Sequence, residues 1–458
     1  MDFFFEPESV AVVGASTKPG KVGYEIVKSL LESGFEGNVY PVHKRGEEIA
    51  GKVSYKSIQD VPSNFELAVI ALPARYVPEN IEECSRKGTK GVVIISGGFK
   101  ELNEDGAGYQ KSAVESARKH GIRIIGPNCV GIFNGKNGLN AFFQPEYAMS
   151  RPKNGNISIM AQSATFGLTL MEWLSDEGLG ISKFVSWGNR SDVDEVDMLE
   201  YLNRDDGTEV IGIHMEGVQR AREFMSVAKK VGARKPVVVL KSGRTERGAK
   251  AAQSHTASLA GELEVFKGAM KQSGVIVADD LEQMFDLLKI LSFRPIIQGR
   301  AIAMVTNGAG PCVAALDAME GTQLEPAKLS DETMSNLKTK LPPFCIFDNP
   351  LDITGSADAE MYRISLTELA KDDNVDILMP FYVYQDGPIA NTVDEMIDFM
   401  RQIAKDQKPV LSVAGGGEFT RTQQRRIQNV GVPVIQTATR MISALARICW
   451  RTAWLDEH

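Results

Sequence analysis

The stretch Val10-Ala11-Val12-Val13-Gly14-Ala15-Ser16-Thr17-Lys18-Pro19-Gly20-Lys21-Val22-Gly23 decides the fold class. A short apolar run, typical of a buried strand, leads directly into a glycine-rich turn and then into an amphipathic stretch at residues 24–31. Further apolar runs separated by helical patterns follow at residues 39–42, 67–72, 91–95 and 122–125. Strands that alternate with helices predict βαβ units and a parallel, doubly wound sheet, whose ligands bind at the carboxyl ends of the strands.

The glycine turn has the composition of a phosphate-binding loop. Glycines let the backbone approach a phosphate closely, and the N-terminus of the following helix offers free N–H groups. The spacing is not that of the dinucleotide fingerprint, and His43-Lys44 follows the second predicted strand where an acid would hold a ribose hydroxyl. Lys44 indicates an additional phosphate, which favours NADP or CoA over NAD. The alternative is a glycine turn needed only for packing.

The same alternation continues beyond residue 150. A predicted strand at residues 156–161 runs into Gln162-Ser163-Ala164-Thr165-Phe166-Gly167, where a helical pattern begins. Small and hydroxyl residues at a helix start either cap the helix or bind an anion there. The next three predicted strands lead to Asn189, to Glu216 and to the connection that holds His255. Because parallel strands end at one edge of a sheet, we expect these residues and Ser163 to share that edge.

The connection over residues 243–261 is long, rich in small and cationic residues, and contains one histidine, His255. Loops of this length between a strand and a helix are uncommon and often functional. A neutral imidazole is a nucleophile for a phosphoryl group, and its second ring nitrogen needs an acceptor, for which Glu216 is the candidate. The alternatives are a solvated loop histidine and an acid that caps the next helix. His214 shares a strand face with Glu216, and we expect it to be a buried supporting residue.

A third α/β segment begins near residue 298. A strand pattern at residues 301–306 runs into Asn307-Gly308-Ala309-Gly310, and further strands are predicted at 377–381, 410–413 and 432–435. The loop at residues 349–355 is either an Asx-type turn or a functional loop. We therefore expect domains at residues 1–130, 150–290 and 298–458, with a glycine- and asparagine-rich connection at 134–152.

Bulk properties exclude several classes of function. With 51 basic and 59 acidic side chains the formal charge is -8, so no broad basic surface for nucleic acid is predicted. The chain holds no apolar run of the roughly 20 residues that a membrane helix needs, and its first residues do not form a signal-peptide pattern. The five cysteines form no CxxC pair, so neither a metal site nor a disulfide framework is expected. We expect a cytoplasmic protein.

The loop motifs resemble those of succinyl-CoA synthetase α subunits and, more closely, those of the NDP-forming acyl-CoA synthetases. They are Gly14-Ala15-Ser16 with Gly20 and Gly23, Ser96-Gly97-Gly98-Phe99, Gly126-Pro127-Asn128-Cys129 and Ser254-His255-Thr256-Ala257-Ser258-Leu259-Ala260-Gly261, in which Ala257 replaces a usual glycine. The resemblance implies three consecutive doubly wound α/β domains: a Rossmann-like CoA-binding domain, a flavodoxin-like phosphohistidine domain and a second flavodoxin-like ligase domain.

The resemblance also implies site residues. The residues implied to line the CoA site are Gly14, Ala15, Ser16, Gly20, Lys21, Val22, Gly23, Lys44, Ala71, Pro73, Ser96, Gly97 and Asn128. His255 would carry the phosphoryl group and Glu216 would stabilise it. The residues implied to cradle the phosphate are Gln162, Ser163, Ala164, Thr165, Ser254 and Thr256.

The implied activity is that of the α subunit of an ADP-forming acyl-CoA synthetase, such as acetyl-CoA synthetase. It would convert acyl-CoA, phosphate and ADP reversibly to a small carboxylic acid, CoA and ATP, through an acyl phosphate and a phosphohistidine. Since no segment resembles an ATP-grasp domain, a separate β subunit that binds ADP or ATP with magnesium, in an α2β2 assembly, is expected. Two alternatives remain: a non-catalytic sensor or regulatory protein that binds CoA or NADP, and an interaction scaffold.

Overall fold

The computed structural model describes residues 1–248, 250, 263–294, 296–403 and 408–457. The chain forms two compact units, of which the first is Met1–Leu281 and the second begins at Glu282. The first unit contains two sheets and the second contains one.

The first sheet has five parallel strands in the order β2-β1-β3-β4-β5. Its strands are β1 (Ser9–Val13), β2 (Asn38–Val42), β3 (Leu67–Ile70), β4 (Gly91–Ile94) and β5 (Arg123–Ile125). The helices that accompany it are α1 (Asp2–Phe5), α2 (Val22–Glu32), α3 (Val77–Ser85) and α4 (Glu104–Lys119), with a 3-10 turn at Ala74–Tyr76. α4 begins directly after its N-cap residue Asn103, whose side chain accepts a hydrogen bond from the Gly106 N–H.

The second sheet has seven strands in the order β12-β11-β10-β8-β9-β6-β7. Its strands are β6 (Ile132–Asn134), β7 (Leu139–Asn140), β8 (Ile157–Ala161), β9 (Ile181–Ser186), β10 (Val210–Met215), β11 (Val237–Lys241) and β12 (Ile276–Ala278). Its helices are α5 (Ala164–Asp176), α6 (Glu195–Arg204), α7 (Ala221–Gly232) and α8 (Leu263–Gln272). β6 and β7 pair antiparallel beside β9, so part of the connection predicted at residues 134–152 belongs to this sheet.

The third sheet lies in the second unit, and its main path is β14-β13-β16-β17-β18. Its strands are β13 (Ala301–Thr306), β14 (Glu325–Pro326), β15 (Leu351–Asp352, paired with β13), β16 (Ile377–Phe381), β17 (Ser412–Val413) and β18 (Val434–Ile435). The helices from this part of the chain are α9 (Leu281–Phe293), α10 (Gly310–Met319), α11 (Asp331–Lys340), α12 (Ala359–Lys371), α13 (Gly387–Asn391), α14 (Val393–Ile403), α15 (Glu418–Gln428) and α16 (Ala438–Glu457).

The parallel strands of all three sheets follow one topology. Numbered in chain order along the main path of each sheet, without the off-path strand β15, they run 2-1-3-4-5, which is the order of the flavodoxin-like doubly wound fold. Most of the longer strands are buried along their whole length, as expected for parallel sheets covered by helices on both faces. The predicted α/β fold class is confirmed. No helix in the described ranges combines the length and apolar character that a membrane crossing requires.

The first two sheets share a hydrophobic core, which fixes their loops against each other. One cluster of buried side chains contains Val12 of β1, Val185 of β9 and Val237 of β11. At the carboxyl edge the chain after β9 comes so close to the loop after β5 that a Cβ on Gly188 would lie 2.1 Å from the Asn128 carbonyl oxygen. Only glycine fits there, so packing joins the loops of the two sheets into one surface.

Candidate active site at the carboxyl edges of two sheets

The turn after β1 is packed tightly against its neighbours. Gly14 has a φ of +90°, and a Cβ on it would lie 2.6 Å from the Ala71 carbonyl oxygen in the loop after β3. A Cβ on Gly23 would lie 2.2 Å from the Gly14 carbonyl oxygen. These two glycines therefore let the backbone of the turn lie directly against the start of α2 and against the third strand.

The same turn presents polar and cationic groups to solvent. The Ser16 hydroxyl accepts a hydrogen bond from the Lys18 N–H at 3.2 Å, and the Gly20 N–H donates to Glu25 Oε1 at 2.7 Å. Lys21 caps α2 with extended backbone, and the exposed Lys44 lies directly after β2. No acidic residue follows β2 at the position that would bind the ribose hydroxyl of NAD. A helix N-terminus with nearby lysines instead suits a ligand that carries additional phosphate groups.

The loops after β4 and β5 complete this edge. The Asn128 N–H donates to the Ser96 carbonyl at 2.9 Å, and a Cβ on Gly97 would lie 3.3 Å from Asn128 Oδ1. Asn128 itself has a φ of +61°, a conformation that asparagine tolerates better than most residues. The remaining predicted CoA residues Ala15, Val22 and Pro73 lie after β1, at the start of α2 and after β3. The structure thus brings together all thirteen predicted positions at one edge.

Glu101 shapes this edge, although the sequence analysis did not single it out. Its Oε1 accepts the N–H groups of Gly98 and Phe99 at 2.6 and 3.1 Å, and its Oε2 accepts from Asn189 Nδ2 at 2.5 Å. Burial by itself would raise the pKa of Glu101, but these hydrogen bonds lower it overall. Glu101 is therefore a carboxylate that links the loop after β4 to the loop after β9.

At the edge of the second sheet, Gln162 holds Glu216. Gln162 Oε1 accepts the backbone N–H of Glu216 at 2.9 Å, and its Nε2 donates to Glu216 Oε2 at 3.3 Å. The backbone N–H of Gln162 donates to the His214 carbonyl at 3.0 Å. Gln162 and Glu216 are 5% and 8% exposed. The two predicted residues do meet, and the Gln162 amide orients a carboxylate at the end of β10.

His214 lies beneath the same turn and is buried, as predicted. Its Nδ1 accepts the Ser163 N–H at 3.3 Å, and its Nε2 lies 2.7 Å from the Ser242 hydroxyl. Because a backbone N–H can only donate, Nδ1 carries no proton and Nε2–H donates to Ser242. Burial lowers the pKa of His214 to about 4, which keeps the ring neutral. Its ring also stacks on Phe166 with centroids 4.4 Å apart.

Within the described part of the chain, the N-terminus of α5 has no side-chain cap. Ser163 is the N-cap residue, but its side chain makes no capping hydrogen bond, and the first turn contains no acid. The first intrahelical bond runs from the Gly167 N–H to the Ser163 carbonyl, so the N–H groups of residues 164–166 precede the helical pattern. Thr165 and Phe166 are exposed. The N–H groups of Gln162 and Ser163 are already bound to His214. The groups that the turn offers to an anion are therefore the backbone N–H groups of residues 164–166 and the hydroxyls of Ser163 and Thr165.

Two buried cations also support the Glu216 region, and sequence reasoning missed both. Lys241, 2% exposed, donates from Nζ to the carbonyls of Ser242 and Glu216 at 3.0 and 3.4 Å. Burial lowers the pKa of Lys241, against the opposing effect of Glu216. Arg190, with a φ of +55°, donates to Glu195 Oε2 at 2.9 Å and to the Gly217 carbonyl at 2.7 Å. The sequence offered one signal for Lys241: a lysine at the end of an apolar strand pattern is unusual and indicates a buried cation with a specific partner.

The predicted nucleophile lies outside the described residues. Ser254, His255 and Thr256 belong to the connection between β11 and α8, of which residues 242–248, 250 and the helix from Leu263 are described. β11 is the direct neighbour of β10, whose end carries Glu216. Among the described residues no cluster of histidine, cysteine or acidic side chains could hold a metal ion, and all five cysteines are buried and unpaired.

Comparison with known proteins identifies the family. Residues 8–135 match the family model of a CoA binding domain, and residues 154–291 match that of a succinyl-CoA ligase like flavodoxin domain. The acetate–CoA ligase (ADP-forming) I of Archaeoglobus fulgidus is 41% identical over 448 residues, covering 97% of this chain and 63% of that protein. The acetate–CoA ligase (ADP-forming) I subunit alpha of Pyrococcus furiosus is 39% identical, with coverage of 100% and 99%.

The chain belongs to the ADP-forming acyl-CoA synthetases. This family of acid–thiol ligases is also represented by a similar solved structure. The dinucleotide-forming acetyl-coenzyme A synthetase 1 of Ca. Korarchaeum cryptofilum, in complex with phosphate and ADP, has a TM-score of 0.90 and 34% identity. The match covers 99% of this chain and 97% of that one. As an ADP-forming acyl-CoA synthetase, the chain spans 63% of the Archaeoglobus relative and nearly all of the Pyrococcus α subunit.

Proposed function

We propose that this chain is the α-type subunit of an ADP-forming acyl-CoA synthetase whose acid is acetate. It converts acetyl-CoA, phosphate and ADP to acetate, CoA and ATP, and the reaction is reversible. The observation that carries the proposal is the edge of the second sheet, where Gln162 orients Glu216 beside the N-terminus of α5. The neighbouring strand β11 leads into the segment that contains His255.

The first step takes place on CoA held at the edge of the first sheet. A phosphate oxygen attacks the thioester carbon, the carbon–sulfur bond breaks, and the CoA sulfur leaves with the proton that the phosphate gives up. The products are acetyl phosphate and free CoA. The glycine turn and the N-terminus of α2 suit the phosphates of CoA, while the Glu101–Asn189 contact keeps the loops of both sheets together.

The second step forms a phosphohistidine. A ring nitrogen of His255 attacks phosphorus, the bond from phosphorus to the acyl oxygen breaks, and acetate leaves. Glu216 accepts a hydrogen bond from the other ring nitrogen and stabilises the positive charge. The N–H groups of Ala164, Thr165 and Phe166, with the hydroxyls of Ser163, Thr165, Ser254 and Thr256, bind the phosphoryl oxygens. Gln162 serves this site through Glu216, because its own donors are already engaged.

The third step needs a partner. The phosphoryl group passes from His255 to ADP, which binds with magnesium to a separate ATP-grasp β subunit in an α2β2 assembly. The name of the Pyrococcus relative, subunit alpha, supports a second subunit, and the three sheets described here all have flavodoxin-like order. A connection of the length found after β11 would let His255 reach both subunits.

Labelling of the complex with [γ-32P]ATP tests the nucleophile. The parent complex should acquire an acid-labile label on this chain, and His255→Ala should lower it by on the order of 10³-fold or more, because no other group takes the phosphoryl. His120→Ala is the matched control, since His120 lies at the end of α4, and it should be labelled like the parent. Equal labelling of His255→Ala and the parent would contradict the proposal.

Binding of CoA to the full chain tests the first sheet. CoA should raise the melting temperature of the parent, and Lys44→Glu should weaken CoA binding by about tenfold because a phosphate then faces a like charge. Lys111→Glu, a charge reversal at another exposed lysine, on α4, is the control and should bind CoA normally. CoA binding without any phosphoenzyme would instead favour a non-catalytic CoA sensor, and absence of CoA protection would contradict the site.

A further inference from the structure

One buried chain of contacts ends at the N-terminus of α5. It runs from the Ser242 hydroxyl to His214 Nε2 at 2.7 Å, and from His214 Nδ1 to the Ser163 N–H at 3.3 Å. His214 is 2% exposed and lies on β10, between β8 and β11. The imidazole thus connects the strand that leads to His255 with the turn that begins α5.

The turn is held by His214 at three points. The His214 carbonyl accepts the Gln162 N–H at 3.0 Å, its Nδ1 accepts the Ser163 N–H, and its ring stacks on Phe166 with an interplanar angle of 9°. Ser163 provides no side-chain cap for α5. The side chain of the N-cap residue usually fixes the first turn of a helix. Here His214, on the neighbouring strand β10, fixes it instead.

We propose that His214 is the positioning residue that orients the phosphate-binding turn at Ser163–Phe166, with Ser242 fixing its tautomer. The inference rests on the proposed function of that turn and assigns His214 no contact with substrate. Its acceptor at Nδ1 aligns the Ser163 peptide, and through it the N–H groups of residues 164–166. If the ring carried its proton on Nδ1, that N–H would face the Ser163 N–H, and two donors would repel each other. The turn would then shift and direct the N–H groups of residues 164–166 away from the phosphate.

The structure offers two nearly isosteric variants that separate this role from simple packing. Asparagine places Oδ1 on Cγ, where histidine carries Nδ1, so His214→Asn keeps an acceptor for the Ser163 N–H. Glutamine places its amide one bond further out, near the position of Nε2, so His214→Gln keeps the contact with Ser242 and loses the one with Ser163. Both changes remove the stacked ring, and they differ in which of the two His214 contacts is kept: Asn keeps the one with Ser163, and Gln keeps the one with Ser242.

The first measurement is phosphorylation of the full chain by acetyl [32P]phosphate. We expect His214→Gln to raise KM for acetyl phosphate and to slow labelling by about 10- to 100-fold, as a small misplacement of binding groups does. His214→Asn should recover to within about threefold of the parent. Ser158→Ala removes a buried hydrogen bond to Thr208 near the opposite end of the same sheet and should label like the parent. Equal rates for the two His214 variants would overturn the inference.

The second measurement does not depend on phosphoenzyme formation. In a full chain with 15N-labelled histidine, the five ring signals include that of His214, which His214→Asn identifies by its loss. We expect an Nε2–H tautomer whose Nδ1 signal shifts saturably on addition of inorganic phosphate. An Nδ1–H tautomer, or an Nδ1 signal that phosphate leaves unmoved, would overturn the inference. A parent chain that shows the phosphate shift but takes no label would instead contradict the proposed function of His255.

Should both His214 variants fail to fold, Ser242→Ala tests the same role at a milder site. Loss of the Ser242 acceptor frees the ring to take the other tautomer, and labelling should slow by about three- to tenfold with a higher KM. Parent-like kinetics of Ser242→Ala, with the Nε2–H tautomer retained, would overturn the inference.

Discussion

The second and third sheets are built alike but carry different chemistry at their carboxyl edges. In both, an amide directly after one strand ties it to the loop after a neighbouring strand: Gln162 after β8 binds Glu216 after β10, and Asn307 after β13 binds Val383 after β16. In the second sheet the amide orients the carboxylate of Glu216, whose backbone carbonyl accepts a hydrogen bond from the buried ammonium of Lys241. The same topology therefore supports two edges that differ in the side chains they present.

At the third sheet the corresponding amide, Asn307, is bound by a buried phenol and by the loop after β16. Asn307 Oδ1 lies 2.7 Å from the Tyr362 hydroxyl and accepts the Val383 N–H at 2.9 Å, while its Nδ2 donates to Asp386 at 2.9 Å. Burial raises the pKa of Tyr362 and Tyr382 well above the usual value, so both stay protonated. Such a network rigidifies the loop after β16, whereas the corresponding amide of the second sheet orients a carboxylate.

Removal of the charge at Glu216 should have the largest effect on this comparison. Glu216→Gln keeps the shape of the side chain but loses the negative charge that stabilises the phosphohistidine, and the net rate should fall by about 10²- to 10³-fold. Glu368→Gln makes the same change at a carboxylate that is 4% exposed and paired with Lys340 and Lys371. It should lower stability and leave the phosphoenzyme intact. If the Glu216→Gln phosphoenzyme formed and persisted normally, the Glu216 carboxylate would have no role in the reaction, and the distinction between Glu216 and Glu368 would fail.

The pH dependence of stability provides the next test. Because burial lowers the pKa of His214 from 6.5 to about 4, the unfolded chain binds more protons than the folded chain between these values. The free energy of unfolding should therefore fall as the pH drops through this window. The His214 contribution amounts to about 3 kcal/mol, and His214→Asn lacks it. Urea denaturation of both proteins at pH 7 and pH 4 measures it. Parallel pH profiles of parent and variant would contradict the buried neutral ring.

A matched pair of amide truncations should show the smallest effect and the sharpest contrast. Asn307→Ala leaves buried partners around Val383 without their hydrogen bonds and should cost about 2 kcal/mol of stability, without slowing phosphoenzyme formation. Gln162→Ala should cost about 1 kcal/mol but shorten the lifetime of the phosphoenzyme, because Glu216 loses its orienting amide. Denaturation and label decay, measured on both variants, check this. The same lifetime in both would mean that Gln162 only packs.

Much of the site could be predicted because strand ends are visible in the sequence. Apolar runs such as residues 237–240 and the glycine turn after β1 give the strands, and parallel topology places their ends at one edge, as found for Gln162 and Glu216. The Glu101–Asn189 contact joins residues 88 positions apart and has no local signature. Likewise, no sequence pattern indicated that the Ser163 N–H is bound to His214. This bond removes one donor from the predicted phosphate-binding residues.

The sequence by itself determined the class of fold, the family and the chemical groups at each strand end, because periodicity, glycine turns and loop motifs are local features. Only the tertiary structure decided which groups remain free to act. Gln162 is committed to Glu216, His214 is a neutral acceptor, and Lys241 binds carbonyl oxygens. Hydrogen-bond partners and burial depend on residues far apart in the chain, and they set both the protonation state and the availability of a donor.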